Sequence, residues 1–198
     1  MKARALVILI GLILMAPQIP YASKMESGSG IVYGEQHAFM ILAPVGWILD
    51  NESAADQGIH AVFYPKGSSW SKAPAVMYAN AVRKREGTAN VQEFINYDLA
   101  KFKKRNPKIV MTVGRALKTE DGKTAQVRLF QGDRWGNQEA VAYIDEPAVM
   151  VILVLSARSQ EAFQKSLPAF ERLVASYRFF TDDVKLPKPK NPENKTPK

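Results

Sequence analysis

The stretch AVMVILVLSA, from Ala148 to Ala157, is almost wholly apolar and rich in Val, Ile and Leu. Asp145-Glu146-Pro147 bounds it on one side and Arg158 on the other. It is far shorter than a bilayer-spanning helix, which needs about 20 apolar residues. A strand with one wet face alternates apolar and polar positions, and this one does not. The pattern therefore predicts a central strand covered on both faces. Such a strand needs a sheet with a layer on each side.

The neighbouring segments supply candidates for both. Upstream lie three further strand patterns, Ile109 to Leu117, Thr124 to Gln131 and Glu139 to Ile144. The turns between them are Glu120-Asp121-Gly122-Lys123, Gly132 to Asn137 and Asp145-Glu146-Pro147. Connections this short join antiparallel neighbours, so the four strands form a meander. Before the meander, Val91, Phe94, Ile95, Leu99 and Phe102 fall on one face of a helix capped by Thr88 or Asn90. Lys101, Lys103, Lys104 and Arg105 fill its last turns, where positive charge complements the helix dipole. After the central strand, Phe163, Leu167, Phe170, Val174 and Tyr177 mark a second helix that begins near Ser159 or Gln160. Pro168 is awkward in a helix interior and is expected to start a new helical segment.

Further upstream, Ile31 to Tyr33, Phe39 to Leu42, Trp47 to Leu49, Ile59 to Tyr64 and Ala75 to Arg83 read as extended segments. Pro44-Val45-Gly46 forces a turn before Trp47. Ala75, Ala79 and Ala81 share one face of their strand, and small residues there allow a helix to pack close. Arg178-Phe179-Phe180 is a last short extended segment. Helices with apolar stripes must bury them on the sheet. The expected fold is α+β, a three-layer α/β/α sandwich around a central antiparallel sheet.

The ends of the chain read differently. Lys2 and Arg4 precede an apolar run, Ala5 to Ala16, and residues 17–22 resemble a cleavage region. Residues 1–22 are expected to be a signal peptide, residues 23–30 a flexible lead-in, 31–180 the domain and 181–198 a disordered Lys- and Pro-rich tail. There is no Cys, so no disulfide supports the fold. Net charge is +8 for the whole chain, and removing Lys2 and Arg4 leaves 25 basic against 19 acidic residues. These features point to a periplasmic or secreted protein. Its excess positive charge suits an anionic envelope component or an acidic partner. Nucleic acid is excluded by that location, and no stable membrane span is expected after signal cleavage.

Phe39-Met40-Ile41-Leu42-Ala43-Pro44-Val45-Gly46-Trp47 resembles the opening strand and Pro-x-Gly-Trp turn of the PsbP-like fold family. Val91-Gln92-Glu93-Phe94 is similar to that family's first-helix start, and Asp121-Gly122 falls at its hairpin position. Ser159 to Phe163, Phe170 to Val174 and Ser176 to Phe179 resemble its closing helix. The resemblance covers most of residues 39–180. It implies the same α/β/α architecture and a non-catalytic binding or assembly role, as in the family's exported bacterial members. No partner-binding residue of the family matches a position here.

The reactive inventory is thin. His37 and His60 are the two histidines, and no hydrolase, phosphate-loop or zinc spacing occurs. Ser69-Trp70-Ser71-Lys72 matches S-x-x-K by chance, in a Pro-flanked loop without its companion motifs. His60 with Asp56, or His37 with Glu35, lacks the further ligands a metal centre needs. No cofactor, metal or catalytic residue is assigned. Trp70 and Trp135 lie in polar loops beside Lys72 and Arg134, a pairing used by binding surfaces and by loops packed on their own domain. Arg83, Lys84 and Arg85 are expected to form one basic patch with Lys101, Lys104 and Arg105. The sequence reading is thus an exported, non-enzymatic binding or assembly protein acting through these eight residues. The alternatives are a hydrolase with an unfamiliar site built on a histidine, or a periplasmic protein that binds a metal or small ligand.

Overall fold

A computed structural model describes residues 28–133 and 135–185. The expected signal peptide, residues 23–27 of the lead-in, Arg134 and residues 186–198 of the expected tail lie outside the described residues.

The apolar stretch is the strand β10, Val149–Ala157. Its odd-numbered side chains enter one core and Met150, Ile152 and Val154 enter another, so the strand is covered on both faces. It pairs antiparallel with β5 (Ala75–Arg83) on one side and β9 (Gln138–Asp145) on the other. The main sheet continues from β5 through β4 (Ala61–Pro65) to β3 (Trp47–Asp50). From β9 it runs through β8 (Thr124–Gln131) to β6 (Val110–Val113), with β7 (Leu117–Lys118) beside the start of β8. The expected strand over 109–117 is thus split in two. Gly114 interrupts it where an added Cβ would meet Val127 Cγ1 at 2.8 Å.

A second, three-stranded antiparallel sheet has the order β1-β2-β11, formed by Ser29–Gly34, His37–Leu42 and Arg178–Thr181. Gly46 takes φ 81° and Trp47 N–H closes the turn on Pro44 O at 2.9 Å, which sends the chain from β2 in one sheet to β3 in the other.

The helix α1 is Val91–Arg105. Asn90 caps it by accepting from Gln92 N–H and Glu93 N–H, and Glu93 reaches back to Ala89 N–H at 2.9 Å. Phe94 and Ile95 are buried, and Val91, Leu99 and Phe102 pack beside them. The helix α2, Gln160–Ala175, is capped by Ser159. It runs through Pro168 without a break, where a new segment was expected. Pro168 and Gln164 are both exposed, so water can take the carbonyl that loses its N–H partner. α2 and the small sheet cover one face of the main sheet with Phe39, Phe163, Phe170 and Tyr177. α1 covers the other, which completes the expected three layers.

One polar node ties the α2 side together. The Glu146 side chain has no exposed surface, forms an ion pair with Lys123, and accepts from Tyr177 Oη at 2.8 Å. Lys123 Nζ also lies 4.8 Å from the Phe179 ring centre. The β9–β10 turn, the start of β8, the end of α2 and β11 therefore meet at one buried carboxylate.

Candidate functional site: the open groove beside α1

On the α1 side, Tyr78 and Val82 of β5 are only half-buried and Asn80 is exposed, whereas Ala75, Met77 and Ala79 on the opposite side are buried. The Ala-rich face expected to receive a helix is thus the α2 side. Beside α1 the strand β5 stays partly uncovered, and two cavities of about 810 and 460 Å³ lie along the helix. They share Phe102, Arg105 and Glu139 and form one groove along the helix. Val82, Ile152 and Val154 line the larger cavity from the sheet, and Phe94, Tyr97 and Asp98 line it from α1.

The structure brings most of the sequence-predicted residues to this groove. Arg83, Lys84, Arg85, Lys101 and Arg105 line the larger cavity, and Trp135 with Arg105 lines the smaller. Lys104 is exposed and lines neither. Trp70 stands edge-on to Tyr78 with ring centres 6.2 Å apart. It is half-buried rather than freely exposed, because Tyr78 offers it an aromatic edge. Trp135 is 69% exposed.

The six cations are not equivalent. Arg83 pairs with Glu35 at 2.8 Å and Lys84 pairs with Asp145. Among the described residues, Arg85, Lys101, Lys104 and Arg105 make no salt bridge. Arg85 Nη2 donates to Tyr97 Oη at 2.7 Å, and Lys101 Nζ lies 5.3 Å from the Tyr97 ring centre. One phenol thus gathers two cations from separate elements at the rim.

Deeper groups of the groove are absent from the sequence assignment. Burial pushes the Asp98 carboxyl above its ordinary range, against a hydrogen bond from Tyr143 Oη at 3.1 Å and the nearby Lys101 charge. Burial likewise raises Glu139; a hydrogen bond from Ser156 opposes it, and the Asp133 and Asp98 charges add to it. The Tyr78 and Tyr143 hydroxyls are pushed up, chiefly by burial, and stay protonated donors. Asp98 was legible as an acid inside the apolar stripe of α1, four residues after Phe94 and four before Phe102. Tyr78 and Asn80 were legible as polar positions on the strand face opposite the alanines.

His37 and His60 line a third cavity of about 530 Å³, and no carboxylate or serine appears in its lining. Burial lowers the pKa of His37, which stacks on Phe39. Glu35 is engaged by Arg83. Among the described residues there is no group of three or more His, Asp or Glu placed to hold a metal. No described helix is long and apolar enough to cross a membrane.

No protein-family model matches the chain, and neither does any curated protein. Solved structures do. A single-site mutant of the protein Mog1 superposes with a TM-score of 0.51 at 11% identity, over 81% of this chain and 98% of that one. Cyanobacterial PsbP from Synechocystis matches with a TM-score of 0.49 at 12% identity, over 82% of this chain and 98% of that one. LpqN of Mycobacterium tuberculosis, involved in cell envelope biogenesis, matches with 0.48 at 12% identity, over 83% and 99%. The chain therefore has the PsbP-like fold. At these identities the likeness defines the architecture, and function has to be argued from the groove.

Proposed function

We propose that this chain is an exported, non-catalytic binding or assembly protein of the bacterial envelope, and that it holds an anionic partner at the groove beside α1. The observation that carries the reading is the pair of cations Arg85 and Lys101, drawn together at Tyr97 on the rim of the partly covered sheet face and, among the described residues, without a salt bridge. Holding two like charges near one another disfavours the free protein, and an incoming anion relieves that repulsion. The signal-like sequence at residues 5–22 supports the location.

The test is crosslinking of the tagged mature protein in its native envelope, followed by mass spectrometry, beside the Arg85→Glu/Lys101→Glu variant. A reproducible partner is expected with the parent protein, weaker at high salt and lost in the charge-reversed variant. Equal capture by both proteins would overturn the assignment of the groove.

A further inference from the structure

We propose that the groove beside α1 is a binding site for a small aromatic monoanion, its acidic group held by Arg85 and Lys101 and its flat body laid against the half-buried Tyr78, Val82 and Phe102. This deepens the reading above and rests on the groove being the working surface.

Size comes first. A cavity of about 810 Å³ lies in the range of small-molecule clefts, roughly 300–1,000 Å³. The charge at the rim selects an anion. Arg83 and Lys84 pair with Glu35 and Asp145, whereas among the described residues Arg85 and Lys101 form no salt bridge. A guanidinium bound through one nitrogen to Tyr97 keeps further N–H donors for a planar carboxylate, sulfonate or phosphate.

The interior favours a single charge on that anion. Asp98 and Glu139 line the groove beyond the rim, so a second negative group on the ligand would meet carboxylates of its own sign. A second charge placed deep in the groove is disfavoured on this ground. The body is chosen by the walls. Tyr78, Tyr97 and Phe102 are half-buried and present ring surface beside Val82, which suits a flat aromatic ring system. The Tyr78 hydroxyl and the two carboxyls can bond a polar substituent on that body without asking it to be charged.

The probes are anilinonaphthalene sulfonate and phenylnaphthylamine, which share a ring skeleton and differ in the sulfonate. Each is titrated by fluorescence into the purified mature protein. The sulfonate is expected to bind at one site, at least about tenfold tighter than the neutral analogue. Arg85→Ala/Lys101→Ala should erase that preference and leave the neutral probe unchanged. Val82→Trp, which fills the floor, should weaken both at least about tenfold while thermal unfolding remains cooperative. If Val82→Trp does not fold, Asn80→Trp at the exposed edge of the same cavity replaces it. A preference that survives the double alanine variant, or binding insensitive to the filled floor, overturns the inference. Envelope capture that depends on Arg85 and Lys101 while the anion preference is absent defeats only the small-anion inference. Capture that ignores those residues defeats the partner reading itself.

Discussion

The two faces of the main sheet are built to different ends. On one face, α2 and the three-stranded sheet together bury Met77, Leu153, Phe170 and Tyr177 completely. On the other, α1 alone lies over β8, β9 and β10, and leaves β5 partly bare. The reason is width. A helix is about 10–12 Å across and strands are about 4.8 Å apart, so one helix shelters about three neighbouring strands. A wide sheet with one helix on a face must keep open floor there. The closed face holds the fold together, and the open face collects the half-buried acids, the phenols and the cations that form no salt bridge among the described residues.

The contrast is sharpest at the node of the closed face. Lys123→Ala strips the counter-charge from the buried Glu146 carboxylate and should cost about 4 kcal/mol, read by denaturant unfolding. An unchanged midpoint would mean that Glu146 does not need its partner. A smaller effect compares the two sides of one strand. Met77→Ala, fully buried on the closed side, should cost about 3 kcal/mol from lost burial and a residual cavity. Val82→Ala, on the open side of the same strand, should cost under about 1 kcal/mol. Equal losses in thermal or urea melts would show that the open face is packed in solution.

The smallest effect is in the pH dependence. The native pKa of Asp98 is raised, mainly by burial. Between the ordinary carboxylate range and that raised value the native state binds the proton more tightly than the unfolded chain does. Stability therefore falls as pH rises through that window and stays lower above it. Glu139 is raised in the same sense and remains in both proteins, as do Arg85, Lys101 and Arg105 in the lining of the same cavity. Asp98→Asn should thus gain on the parent protein as pH rises from acid to neutral, in paired melts. A constant difference between the two would place the Asp98 carboxyl in water.

The fold was largely legible because its signals are periodic and local. The unbroken apolar run of β10, the i, i+3, i+4 stripes of α1 and α2, and the Gly-containing turns each follow from backbone geometry. Misreadings arose where context outweighed propensity. Pro168 sits on the solvent side of α2, so the helix tolerates it. β6 and β7 separate where Gly114 abuts Val127. The division of the strands between two sheets was not legible, because hydrogen-bond partners far apart in the chain leave no local pattern.

The site was legible only as a list of residues. Basic side chains and loop tryptophans can be read from the sequence, but whether each has a partner cannot. Arg83 and Lys84 look like Arg85 in the sequence, and the fold alone brings Glu35 and Asp145 to the first two. Sequence by itself determined the secondary elements, the layered architecture and the charge of the surface, since these depend on side-chain period and type. Tertiary structure alone decided which sheet face stays open, which cations find a carboxylate among the described residues and which acids are buried enough for their pKa to rise. Those properties depend on burial and on distances between residues remote in the chain, and both come into being only when the layers close.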